Sequence, residues 1–223
     1  MSTYGPPPEP DARSHVRAVV DAAVAAVPFV GSSAQILLDD IVRPSYERRL
    51  QDWYRELDLV VQEIRHELPS RDLRDMVEGD RFATAVLVAS KIALGTHLVA
   101  KISILREALI STALRSDISD FLALRLLGLV DELSPEHVTL LKVLACPDEW
   151  CALSAGGART GRAALEEASS LPPDVLGLCL HDLSVRSLAY IDTLNEVSLD
   201  GEPRSSFATS LGEDFLHFVS AFE

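Results

Sequence analysis

The sequence predicts a mainly α-helical fold, in which a helical bundle is followed by a winged-helix-like module with a small β-hairpin. Three observations lead there. The chain has 223 residues with 48% hydrophobic side chains, enough to bury a core in one domain or in two small ones. Apolar residues recur at steps of three and four over long stretches, the period of an amphipathic helix. In the C-terminal quarter Leu171-Pro172-Pro173 opens a short apolar helix, an extended stretch follows, and Thr209-Ser210-Leu211-Gly212-Glu213-Asp214-Phe215-Leu216-His217-Phe218-Val219 closes the chain. Helix, strand, turn, strand and closing helix is the order of a winged helix.

Residues 1–11 read as a disordered arm, because Pro6-Pro7-Pro8 favours extended backbone. That arm has no basic residue followed by an apolar run, so it does not read as a signal peptide. Residues 12–133 form the expected helical bundle. Its first segment includes Ala22 to Leu38, 17 residues without a charge, close to the length that spans a bilayer. Pro28 and Gly31 interrupt it, and two amphipathic helices joined by a Pro-Phe-Val-Gly elbow account for the run. Core packing is the preferred reading. If the segment unpacked instead, Val27, Phe29 and Val30 would be the residues that meet a membrane or a partner.

The next helix is the clearest. Pro44 suits a first helical turn, and Tyr46, Leu50, Trp53, Leu57, Val60, Ile64 and Leu68 follow at helical steps. Its other face carries Arg48, Arg49, Asp52, Arg55 and Glu56 among other charges, as a solvated surface does. Bundle packing is favoured over a dimeric coiled coil. Pro69 ends the helix, and Ser70 to Asp80 reads as a loop. Phe82 to Leu114 reads helical, with Gly95-Thr96 as a kink or boundary. Ile118 to Leu133 is apolar on nearly every side and is expected to be a buried central rod.

Ser134-Pro135-Glu136 is a helix start, with a capping hydroxyl, a proline in the first turn and an acid near the positive dipole end. It opens the module of residues 134–223. Helices are expected to about Ala145, over Thr160 to Ala168 and over Pro173 to Leu183, with Tyr190-Ile191 and Phe207-Ala208 flanking the wing.

The chemistry-bearing patterns are weak. Gly156 and Gly161 have the spacing of a phosphate-binding loop, but Arg162 and Ala163 stand where a lysine and a hydroxyl are needed. Cys146, Cys151, Cys179 and His181 supply metal-ligand types, yet residues 179 and 181 point to different faces of one helix. Glu63 and His66 form one Glu-x-x-His pair where a di-metal bundle needs two. No catalytic residue, cofactor site or metal site is therefore assigned, the chain is read as a non-enzyme, and no small-molecule substrate is inferred. Three cysteines in no disulfide pattern fit a reducing compartment, and the cytoplasm is the expected location.

Charge bears on partners. The chain carries a formal −14, and residues 134–223 hold 5 Lys+Arg against 14 Asp+Glu. Such a module repels duplex DNA, which bears one negative charge per about 1.7 Å. Arg186 and Arg204 are the candidate nucleic-acid contacts. A protein partner or a second copy of the chain suits the charge better.

Three sets of segments go together: Val27-Pro28-Phe29-Val30-Gly31 with Arg48-Arg49-Leu50-Gln51-Asp52-Trp53; Phe82-Ala83-Thr84-Ala85-Val86 leading to Arg106-Glu107-Ala108-Leu109; and Leu133-Ser134-Pro135-Glu136-His137 with the closing Thr209 to Leu216. Together they resemble a widespread, poorly characterised family of bacterial proteins that join an N-terminal helical domain to a C-terminal winged-helix-like domain. More distantly the chain is similar to the abortive infection alpha proteins, which share the Leu-Ser-Pro and terminal Leu-Gly pattern. The resemblance implies a bacterial, cytosolic, largely helical protein tied to phage defence, and it carries over no catalytic or ligand residue.

Overall fold

The computed structural model describes residues 43–68, 76, 79–146, 161–191 and 206–220, which form eight helices. The chain divides into two compact units, Met1–Gly128 and Leu129–Glu223. The division falls about one helical turn ahead of Ser134, where the sequence suggests a module boundary.

In the first unit, α1 (Arg43–Glu67), α2 (Asp80–Gly95) and α3 (Val99–Leu114) pack against one another. The periodic seam of α1 is the buried side: Trp53, Leu57, Val60, Val61 and Ile64 are withdrawn from solvent, which matches bundle packing within the chain. Trp53 brings a polar atom into that core and satisfies it. Its Nε1–H donates to Ser90 Oγ at 2.9 Å, and Ser90 donates to the Val86 carbonyl at 2.6 Å.

The Phe82 to Leu114 stretch is two helices, with the boundary at Gly95-Thr96. Thr96 takes extended backbone, and its Oγ1 accepts the Leu98 N–H at 3.2 Å at the start of α3. Glycine is the poorest helix former after proline, so the break comes where propensity is lowest. The far end of α3 is held by Arg81 of α2, which donates to the carbonyls of Arg115 and Ile118, each at 3.1 Å. Arg115 is the C-cap of α3 and Ile118 lies in the turn before α4, so one side chain serves two carbonyls outside the helical ladders.

Helix α4 (Asp120–Glu132) opens on Ser119, whose Oγ accepts the Leu122 N–H at 3.2 Å. It departs from the all-round burial its composition suggests. Ala123, Leu126, Leu127, Leu129 and Val130 are buried, but Phe121 is 80% exposed and Leu124 is exposed too. The 3.6-residue period turns Phe121, Leu124 and Arg125 away from the packed side, so the apolar count overstated burial.

In the second unit α5 (Pro135–Ala145) is the shared neighbour of α6 (Gly161–Ser169), α7 (Pro173–Val185) and α8 (Ser210–Val219). The three expected helices and the closing helix are present to within two residues. The β-hairpin is the correction. No strand occurs among the described residues; one antiparallel bridge joins Ala189 to Ala208, and residues 192–205, the expected wing, lie outside them. Around that bridge the Tyr190 N–H donates to the Phe207 carbonyl at 2.8 Å, and the Phe207 N–H to the Leu144 carbonyl at 2.9 Å. Two short extended stretches thus meet at one bridge rather than along a ladder, and the second of them is tied to the last turn of α5 through Leu144. Helix α8 starts at Thr209, whose Oγ1 accepts the Gly212 N–H at 3.0 Å.

Candidate functional site

In a winged helix the third helix is the one that reads DNA, and α7 holds the third place among the described helices of the terminal unit. Its position is fixed at both ends. Pro172 and Pro173 start it, proline being compatible with a first turn that lacks N–H acceptors. At the other end Ser187 takes φ 59°, its N–H donates to the Ser184 carbonyl at 2.9 Å, and the Leu188 N–H reaches the Leu183 carbonyl at 2.8 Å. That pair of bonds is a Schellman stop with serine where glycine is usual. Leu176, Cys179, Leu180 and Leu183 bury the inner face. Burial, with the Glu136 and Asp182 carboxylates nearby, pushes the Cys179 thiol up from its ordinary value.

Facing outward are Asp174, Leu178, His181 and Val185, at steps of four, three and four along one side of the helix. Leu178 is 68% exposed and Val185 66%. The stripe contains no lysine, arginine, asparagine or glutamine, the side chains that read base edges.

Arg186, just beyond α7, is committed elsewhere. Its Nε donates to Glu132 Oε2 at 2.8 Å, and its Nη1 to Asp182 Oδ1 and to the Asp182 carbonyl, each at 3.2 Å. The hydrogen bond to Glu132 is the main cause of its raised pKa. Asp182 also receives His137 Nε2 at 3.2 Å. Desolvation raises the Asp182 carboxyl, but the His137 hydrogen bond and the Arg186 charge outweigh it and hold the group below its ordinary value.

Ser134, His137 and Asp182 have the spacing of a nucleophile, base and orienting acid, with Ser134 Oγ 2.9 Å from His137 Nδ1. The hydrogen bonds assign them to a cap instead. The Ser134 backbone N–H already donates to Nδ1 at 3.1 Å, and the Ser134 Oγ accepts the His137 N–H, the two halves of a capping box. A hydrogen bond from the Ser134 hydroxyl holds Glu136 below the usual carboxylate range. The ring nitrogen that would take the serine proton is occupied.

The remaining sequence candidates are dispersed. Arg204, Val27, Phe29 and Val30 lie outside the described residues, as does Cys151. Arg162 of the glycine-rich stretch donates to the Pro173 carbonyl at 3.2 Å and pairs with Glu166 at 3.6 Å. Cys146 and His181 are exposed while Cys179 is buried. No described helix is long and apolar enough to cross a membrane. The cluster of Glu132, His137, Asp182 and Arg186 is what sequence reasoning missed. Its signals were the Asp182–Arg186 step of four and a histidine at the third helical position after Ser134. Comparison with protein-family models, curated proteins and solved structures finds no match for the chain.

Proposed function

We propose that the protein is a non-enzymatic interaction module whose terminal unit uses a winged-helix order of helices to hold α7 against a protein partner. The observation that carries this is the outward stripe of α7. Two large aliphatic side chains lie on it, with Asp174 before them and His181 between them, in a unit whose sequence is strongly acidic. Exposed apolar side chains aligned on one rigid helix suit a protein surface and offer nothing to a phosphate backbone. The order of the helices is the part of the winged-helix reading on which this proposal draws. The motifs similar to abortive infection alpha proteins support phage defence as the setting.

The test is capture of partners by the tagged full-length chain from its host, compared with the Leu178→Glu, Val185→Glu double variant and with Leu59→Glu, an exposed site in the first unit. The expected result is a protein retained by wild type and Leu59→Glu and lost by the double variant. Capture indifferent to the double variant would overturn the docking face. Binding of short duplex DNA that weakens steeply with salt would restore the regulator reading instead.

A further inference from the structure

The junction of α2 and α3 forms an exposed tip on the first unit. Gly95, His97, Leu98, Val99 and Ala100 all face water there, and Val99 is 80% exposed. We infer that this tip rests on an anionic lipid surface, with Leu98 and Val99 seated among the headgroups and the lysines beside them meeting the phosphates. This inference is independent of the docking face on α7.

The charge of the hairpin is opposite to that of the chain. From Arg81 to Arg106 it carries four cations, Arg81, Lys91, Lys101 and Arg106, and no acid, within a protein of net charge −14. The arginines near the tip are balanced: Arg49 and Arg55 of α1 and Arg106 of α3 stand against Asp52, Glu56 and Glu107, with Arg55 bonded to Asp52 and Arg106 3.0 Å from Glu107 and 3.8 Å from Glu56. The formal surplus beside the tip is therefore carried by Lys91, exposed one turn before it, and Lys101 in the first turn of α3. The start of α3 has the same sign, because Leu98 supplies no side-chain cap and the first turn holds no acid to offset the positive end of the helix dipole. Screening confines attraction to about 10 Å at 0.1 M salt, so the charge beside the tip governs its contact with a surface, not the total over the chain.

Aliphatic side chains flanked by lysine suit a bilayer better than a protein. Lysine is depleted from protein–protein interfaces, whereas at a lipid surface its stem lies on apolar ground while the ammonium reaches the phosphates. Each lysine held near an anionic leaflet strengthens attachment about fivefold, and covering Leu98 and Val99 adds the burial of aliphatic surface that now faces water. Two lysines and two aliphatic side chains give weak, reversible attachment along the surface. Helices α2 and α3, at 16 residues each, are shorter than the roughly 20 residues a span requires.

The test is flotation of the full-length chain with vesicles of phosphatidylcholine alone and of equal parts phosphatidylcholine and phosphatidylglycerol, at low and high salt. Binding to the anionic vesicles is expected, weakening with salt, with little on the neutral ones. Val99→Glu should reduce it by at least about tenfold, by removing an aliphatic contact and adding a like charge. Lys91→Gln should reduce it about fivefold. The control is Phe121→Glu, the same change of charge at an equally exposed site. Arg81 of α2 lies 3.5 Å from Asp120, which puts Phe121 at the other end of the hairpin, about 20 Å along α2, and the substitution should alter binding by less than about twofold. Failure to bind the anionic vesicles, equal binding to the neutral ones, or equal losses from Val99→Glu and Phe121→Glu would each overturn the inference. A dimer in sedimentation that Val99→Glu dissolves, with no attachment to vesicles, would assign the tip to a second copy of the chain instead.

Discussion

Replacing Gly212 with alanine should unfold the terminal unit at a lower denaturant concentration, although helix propensity alone argues the reverse. Gly212 is buried in the first turn of α8, and a Cβ there would stand 2.1 Å from the Leu188 carbonyl oxygen and 3.1 Å from its carbon. Alanine is favoured over glycine within a helix by about 1 kcal/mol. Against that, the backbones must separate by about an ångström, and forcing a methyl into a packed site costs roughly 1–3 kcal/mol. The Leu188 oxygen is also the acceptor of the Thr209 N–H at 3.0 Å. Moving it weakens a bond worth about 1 kcal/mol and pulls on the neighbouring Ala189–Ala208 bridge. The balance is a net loss of about 2 kcal/mol. Urea titration of the full chain followed by far-UV circular dichroism would measure it. Gly128→Ala is the control, because a Cβ there meets nothing within 4 Å and should stabilise by roughly 0.5–1 kcal/mol. If both substitutions behave alike, the close approach of α8 to Leu188 is not real.

Other expectations follow from single contacts. Ser187→Gly should stabilise the terminal unit by about 1 kcal/mol, since residue 187 sits at φ 59° and only glycine adopts that region without steric cost; an unchanged urea midpoint would contradict it. Asp182→Asn should cost at most about 1 kcal/mol at neutral pH, the pair being partly solvated. Because the folded state holds this carboxyl below the unfolded value of about 3.9, its contribution is complete above that pH and is lost as pH falls through the folded value. The stability gap between wild type and variant should therefore close in acid, and a gap constant from neutral pH to acid would refute the assignment. Trp53→Phe should destabilise the first unit by about 2 kcal/mol through lost packing and the lost bond to Ser90, and a double-mutant cycle with Ser90→Ala should show coupling of about 1 kcal/mol.

The helices were legible because each has a local signature. The α1 seam, the Ser134-Pro135 start and the double proline before α7 all lie within a few residues of what they cause. Where local signals conflict, reading fails. The apolar excess of α4 conceals an exposed Phe121, because composition does not say which side has a neighbour. The hairpin was inferred from a pattern of extended residues, and the described backbone forms one bridge there. The candidate sites were least legible. The commitment of Arg186 joins the end of α7 to Glu132 of α4 and to Asp182 one turn back, and it removes from α7 one of the two cations the sequence offered to DNA.

The arrangement of the terminal unit around α5 has a meaning for how it assembles. Helices α6, α7 and α8 each dock on the same central helix, so α5 is the template on which the others are ordered. Helices α6 and α7 follow sooner after it along the chain, whereas α8 comes from the far end and must close the longest separation. In a chain emerging from the ribosome, α5 to α7 can associate before α8 exists, and until then the surface that receives Phe215 and Phe218 stands open. The closing helix is therefore the step that makes this unit stop being sticky.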